Sequence, residues 1–186
     1  MNRCSWCLKG NEKIYMDYHD IEWGVPQYDD DKLFELLVLD GFQAGLSWLT
    51  ILKKRENFRK ALEGFNAAKI AKYGSAEISR LVQNKGIVRN HLKIEAVPTN
   101  AQAFLNIKKL HGSFARFIWG FTNQKQIVNQ FNLISELPVS TPISEKMSWE
   151  LKKAGFKFTG PTICYAFMQA AGMVDDHLLS CWKRTK

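Results

Sequence analysis

The sequence lacks any apolar stretch of membrane-spanning length, and no apolar run follows a basic start at its N-terminus. A spanning helix needs about twenty consecutive apolar residues and a secretion signal needs a shorter apolar run behind basic residues, so neither insertion nor export is indicated. A cytoplasmic location is expected. Low-complexity tracts and internal repeats are also missing, and few segments alternate with period two, which argues against a repeat array or a mainly β fold. Proline is scarce, at 5 residues. Cysteine is scarcer still, at 4, and with 4 histidines beside it this suits thiolates on a metal better than a disulfide framework.

What is present is positive charge and flat rings. The chain of 186 residues carries 26 Lys and Arg against 18 Asp and Glu, a formal charge of +8 that favours a polyanionic partner, with nucleic acid first. Several of its 6 Trp and 5 Tyr crowd into the first fifty residues, where rings could stack on bases. The length suits one domain or two small lobes sharing a cleft.

Periodicity reads as mainly α. Acids at Asp29 to Asp31 open a helix that carries Leu33, Phe34, Leu36, Leu37 and Leu39, and Asp40-Gly41 interrupts it. A second helix covers roughly residues 43–63, with shorter ones near 67–72 and 75–83. A helix over 90–110 is kinked or divided at Pro98, and others cover 113–121, 144–154 and 161–171, the last with proline at its first position. Residues 1–31 show no sustained period and form an arm that must pack on something. Cys164 lies in the apolar run PTICYAFM as a core residue, and His91 and His111 face solvent.

Two metal-ligand types stand at His177-x3-Cys181, within VDDHLLSC. Four residues apart on a helical turn, they share a face and supply half of a tetrahedral site. Cys4, Cys7 and His19 cluster at the other terminus. A zinc ion on Cys4, His19, His177 and Cys181 would tie the first twenty residues to the last ten, with Cys7 able to replace one of them. The alternative is ordinary buried, unligated cysteine.

Three stretches together resemble one family: YHDIEWGVP at 18–26, LDGFQAGLSWLTILKKRENFR at 39–59 and GFKFTGPTICYAFMQAAGMVDDH at 155–177. They look like DNA-3-methyladenine glycosylase I, of the helix-hairpin-helix DNA glycosylase superfamily. The resemblance implies an all-α, two-lobed helical fold in one domain spanning 1–186, with the hairpin at about 152–169 and its turn near 158–161. It implies one structural zinc on Cys4, His19, His177 and Cys181. It implies a base-excision repair enzyme that flips N3-methyladenine out of alkylated double-stranded DNA and releases it by hydrolysis, working as a monomer.

By the same resemblance, Asp40 is the catalytic carboxylate, and Trp6, Tyr15, Tyr18 and Trp48 bind the base. Leu46 is the wedge that fills the gap in the duplex, and Gly160 and Thr162 hold DNA at a helix N-terminus. The family carries glutamate where this chain has Asp40. Asp175 stands where other superfamily members place a catalytic aspartate, and it could instead cap a helix or pair with a lysine. Pro161 or Thr162 occupies the position of the lysine in lyase-type relatives, so a monofunctional hydrolase is expected. The competing readings are a zinc-stabilised DNA-binding module and a glycosylase of altered base specificity.

Overall fold

The computed structural model describes residues 2–184. Its described residues hold nine α-helices: α1 Lys13–Ile21, α2 Asp30–Gln43, α3 Trp48–Ala61, α4 Ala67–Ile70, α5 Ser75–Gln83, α6 His91–His111, α7 Phe114–Trp119, α8 Pro142–Lys153 and α9 Pro161–Ala170. Two strands of two residues each, β1 Ile127–Val128 and β2 Val174–Asp175, pair in parallel.

Local chemistry explains most helix starts. The side chains of Asp29, Ser47, Asn90 and Ser113 each accept from a backbone N–H in the first turn of α2, α3, α6 and α7, satisfying donors that a helix start leaves unpaired. α2 is buried along nearly its whole length, from Leu33 to Phe42, so the other helices pack around it. Its Phe34 meets Phe104 of α6 in a tilted pair with ring centroids 4.7 Å apart, and Phe42 lies 4.8 Å from Phe58 of α3. Each such ring contributes roughly 1.5–3 kcal/mol by leaving water.

Four expectations need correction. α2 does not stop at Asp40-Gly41 but runs through to Gln43, because Leu39, Asp40, Gly41 and Phe42 are all buried and the packing holds the last turn in the helix. α6 runs through Pro98 without dividing. The donor lost there is offset by the burial of Ile94, Val97, Ala101 and Phe104 along the same helix. The N-terminal arm is structured, as a 3₁₀ segment at Ser5–Asn11 followed by α1. Residues 176–181 are not helical: β2 pairs with β1, and the chain then turns back along the N-terminal arm, where the Trp182 N–H donates to the Asn2 carbonyl at 2.9 Å.

Candidate active site

α1, α2 and α3 converge on a cavity of about 220 Å³ lined by Trp6, Tyr15, Tyr18, Trp23, Asp40, Gln43, Trp48, Ile134, Leu137, Ala166 and Gln169. The helical period decides who faces it. Tyr15 and Tyr18 stand three apart on α1, Asp40 and Gln43 three apart on α2, and Ala166 and Gln169 three apart on α9. Trp48 is the first residue of α3, placed there by the Ser47 cap. The Tyr18 and Trp48 rings lie 5.4 Å apart, and Trp6 meets Tyr15 edge-on at 4.9 Å. The five residues expected at the base site, Trp6, Tyr15, Tyr18, Asp40 and Trp48, are therefore brought to one cavity.

Asp40 is the chemical centre of this lining. Its side chain is 2 % exposed, and Oδ2 has no hydrogen-bond partner within the protein. Burial raises its pKa well above the ordinary carboxylate range, with the Arg55 guanidinium opposing only in part. Trp6 Nε1 and Trp48 Nε1 are likewise buried and unpaired. An unmet buried polar group costs about 1–3 kcal/mol, so three of them around one apolar cavity favour a flat ligand with donors and acceptors on its edge.

Arg55 holds the three helices together behind the cavity. Its Nη1 donates to Glu22 at 2.6 Å and its Nε to Glu35 at 2.6 Å, and Arg59 Nη2 also reaches Glu35 at 2.7 Å. The helical period over 43–63 gives no hint of this network, because its partners lie on two other elements. Gln43, Trp23, Ile134, Leu137, Ala166 and Gln169 were also missed. Ile134 and Leu137 belong to an irregular segment whose placement no period reports. Gln169 carried a usable signal, a polar residue in the apolar run of α9, and its Nε2 donates to Asp176 at 2.8 Å.

Leu46 stands at the tip of the loop 44–47, 44 % exposed beside Gly45 at φ 82°, so it is not an ordinary core leucine. Gly160 precedes α9 as its cap residue, and Thr162 is exposed in the first turn. Lys152, Lys153 and Lys157 are exposed on the same α8–turn–α9 unit. His91 and His111 are exposed and Cys164 is buried, as their sequence contexts imply.

Next to the cavity, ligand atoms of Cys4, His19 and Cys181 lie within 4.8 Å of one another, all buried. His177 joins them with its ring 4.8 Å from that of His19 and its Nε2 buried and unpaired. Each histidine has its Nδ1 held by a carboxylate, His19 by Asp20 at 2.8 Å and His177 by Asp175 at 2.7 Å, which turns both Nε2 lone pairs inward. Asp175 thus serves His177, whose backbone N–H it also accepts, and no helix begins there for it to cap. Burial, helped by the neighbouring Cys181 and Cys7, pushes the Cys4 thiol up to about 12, so a thiolate at this position needs a cation beside it. Cys7 donates to the Cys4 carbonyl at 3.1 Å. The donor set of two thiols and two outward-anchored imidazoles fits a tetrahedral zinc ion. Trp6 connects the two regions, with its ring 5.4 Å from His19 and 6.4 Å from Tyr18.

Comparison with known proteins agrees with this arrangement. A profile of the methyladenine glycosylase family matches residues 6–184. The chain belongs to that family. It is 49 % identical over 179 residues to a DNA-3-methyladenine glycosylase of Haemophilus influenzae, covering 96 % of each protein. It is 48 % identical over 181 residues to DNA-3-methyladenine glycosylase 1 of Escherichia coli, covering 97 % of this chain and 96 % of that one. The fold superposes on a crystal structure of a 3-methyladenine DNA glycosylase I with a TM-score of 0.96, at 45 % identity over 99 % of this chain and all of that one. A Staphylococcus aureus 3-methyladenine DNA glycosylase I gives 0.95 at 39 % identity, with 100 % and 98 % covered. A family of this name, reached at such identity, places the chain among glycosylases with the helical fold of these relatives.

Proposed function

We propose that this chain is a monofunctional base-excision repair glycosylase that releases 3-methyladenine from alkylated double-stranded DNA and acts as a monomer. The observation that carries the reading is the buried, unpaired carboxyl of Asp40 among aromatic rings in a cavity of base-like size. N3-alkylation leaves the nucleotide's base cationic. Aromatic faces at Trp6, Tyr15, Tyr18 and Trp48 attract a cation more than neutral adenine, by roughly 0.5–2 kcal/mol per favourable ring. The same cation draws Asp40 toward its carboxylate form, which then accepts hydrogen bonds from the exocyclic amino group.

Access requires the nucleotide to leave the duplex, at a few kcal/mol, and exposed Leu46 enters the gap. Water then attacks C1′: a C1′–O bond forms, the C1′–N9 bond breaks, its electron pair goes to the base, the base departs neutral, and the water's second proton passes to solvent. Asp40 is shorter by one methylene than the glutamate usual in the family, and Trp6 and Trp48 N–H groups are at hand for the base edge. No lysine stands at Pro161 or Thr162 to form a Schiff base, so the strand stays intact. The backbone N–H groups of Gly160 and Thr162, on either side of Pro161 at the start of α9, hold a phosphate, with the lysines around them adding charge.

Cys4, His19, His177 and Cys181 would hold one zinc ion. With four protein ligands it would have no open position for water, so its contribution would be structural: it would join the N-terminal arm to the segment after β2 and set Trp6 through His19.

The test is product analysis on methylated duplex DNA. The expected result is rapid release of 3-methyladenine, little 7-methylguanine, no adenine, and abasic sites in unbroken strands. Binding of the duplex without any base release would instead favour a DNA-binding module.

A further inference from the structure

Helix α6 carries two buried polar side chains, Lys93 and Asn100, each 7 % exposed. Seven residues apart, they share one face of the helix. Lys93 Nζ donates to the Phe42 carbonyl at 2.9 Å and to the Ala44 carbonyl at 2.6 Å. These carbonyls lie where α2 ends and the loop 44–47 begins, a point at which helix carbonyls lack partners and the helix dipole favours a cation. Burial disfavours the ammonium, which lowers its pKa, and the two carbonyl contacts are the compensation on show. Asn100 clamps the other loop: its Oδ1 accepts from the Lys157 N–H at 2.7 Å and its Nδ2 donates to the Lys157 carbonyl at 3.2 Å. One helix face therefore grips both loops that the proposed function turns toward DNA.

We propose that Lys93 is a positioning residue for base extrusion, fixing the loop 44–47 so that Leu46 enters the duplex at the right height. The inference rests on the reading of Leu46 as the wedge. The geometry is economical, since the Leu46 N–H itself donates to the Gln43 carbonyl at 2.6 Å, between the two carbonyls that Lys93 holds. With the ammonium removed, the Phe42 and Ala44 carbonyls lose their donor and Leu46 loses its anchor, while Tyr15 and Tyr18 of α1, Trp48 of α3 and Asp40, two residues before the first of these carbonyls, still line the cavity. A lysine that only capped α2 would change stability without acting through Leu46.

The experiment compares native protein, Lys93→Met, Leu46→Ala and the double variant for single-turnover release of 3-methyladenine from methylated duplex, and for binding of the free base by tryptophan fluorescence. Lys93→Met is expected to slow release about tenfold, a misplacement of well under an ångström, and to change free-base affinity by less than about twofold. Lys93→Arg, which keeps the donors, restores most of the rate. The double variant is expected to be no slower than Leu46→Ala alone, because both changes remove the same function. Losses that multiply in the double variant, or an equal loss of free-base binding, overturn the assignment. Amide exchange at Leu46 gives a readout free of catalysis: it rises about tenfold or more in Lys93→Met if the loop is freed, and an unchanged rate overturns the claim. If the native protein releases no base, the functional reading itself fails; native release with multiplying variants fails the Lys93 assignment alone.

Discussion

Asp40 concentrates the conflict between stability and function in one side chain. Its carboxyl is buried with an oxygen unpaired, and its folded pKa stands well above the 3.8 of the free group. The raised value means that the folded state holds a proton that the unfolded state has already lost, so its contribution to stability is fully present below the unfolded pKa. That contribution falls as pH rises toward the folded pKa. Asp40→Asn removes this dependence. The variant is therefore expected to melt at a higher temperature than the native protein at pH 7, by an increment that shrinks toward pH 4. Thermal melts across that range check it, and a variant less stable at pH 7 would contradict the burial argument. The residue types of the cavity were legible because rings and a carboxylate are chemically conspicuous, and the quoted stretches carried them. Their supports were not: nothing local in the sequence pairs Glu22 and Glu35 with Arg55, and only the packing of α1, α2 and α3 brings each carboxylate within 2.6 Å of that guanidinium.

At the scale of elements, the helices with aliphatic stripes were legible and those held by other means were not. α1 buries Tyr18 and His19, an aromatic and a polar ligand, so its inward face shows no aliphatic period. The segment after Gly172 pairs with residues almost fifty positions earlier, a contact that no local pattern announces. Glycines mark where these irregular pieces meet. Gly24 has φ +73°, and a Cβ there would lie 2.9 Å from His177 Cε1. Gly24→Ala is expected to cost roughly 1–3 kcal/mol through backbone strain and overpacking, and to displace the His177 ring. Gly45 has a similar φ of +82° but open space around it, so Gly45→Ala should cost only about 1–2 kcal/mol of backbone strain and leave His177 alone. Metal content after dialysis separates the two: reduced in Gly24→Ala, unchanged in Gly45→Ala. Equal metal retention would mean that the close approach of Gly24 to His177 does not set the cluster.

For the whole molecule, the metal cluster and the cavity form one mechanical unit through Trp6. The four side chains come from both ends of the described chain, so the zinc ion proposed for them would close a loop of more than 170 residues, from Cys4 to Cys181, and its removal would release the arm that carries Trp6, Tyr15 and Tyr18. One equivalent of zinc per chain is expected. A strong chelator should lower the melting temperature by several degrees and weaken free-base binding in parallel. Well under one equivalent, or stability and binding both indifferent to chelator, would contradict the structural role. The meeting of Cys4, His19, His177 and Cys181 was legible as residue types at matching spacings, yet the route by which they meet was misjudged, since the segment following β2 rather than a helix presents His177 and Cys181.

The central claim is that the Asp40 cavity takes an alkylated adenine and drives its release. The most direct measurement is single-turnover release of 3-methyladenine from methylated duplex DNA by the native protein and by Asp40→Asn. Removing a preorganised electrostatic partner from a dry site costs on the order of 10²-fold in rate. The account predicts rapid native release and a loss of that order in Asp40→Asn, in a protein that is folded and still binds duplex. Equal rates for the two proteins would contradict it.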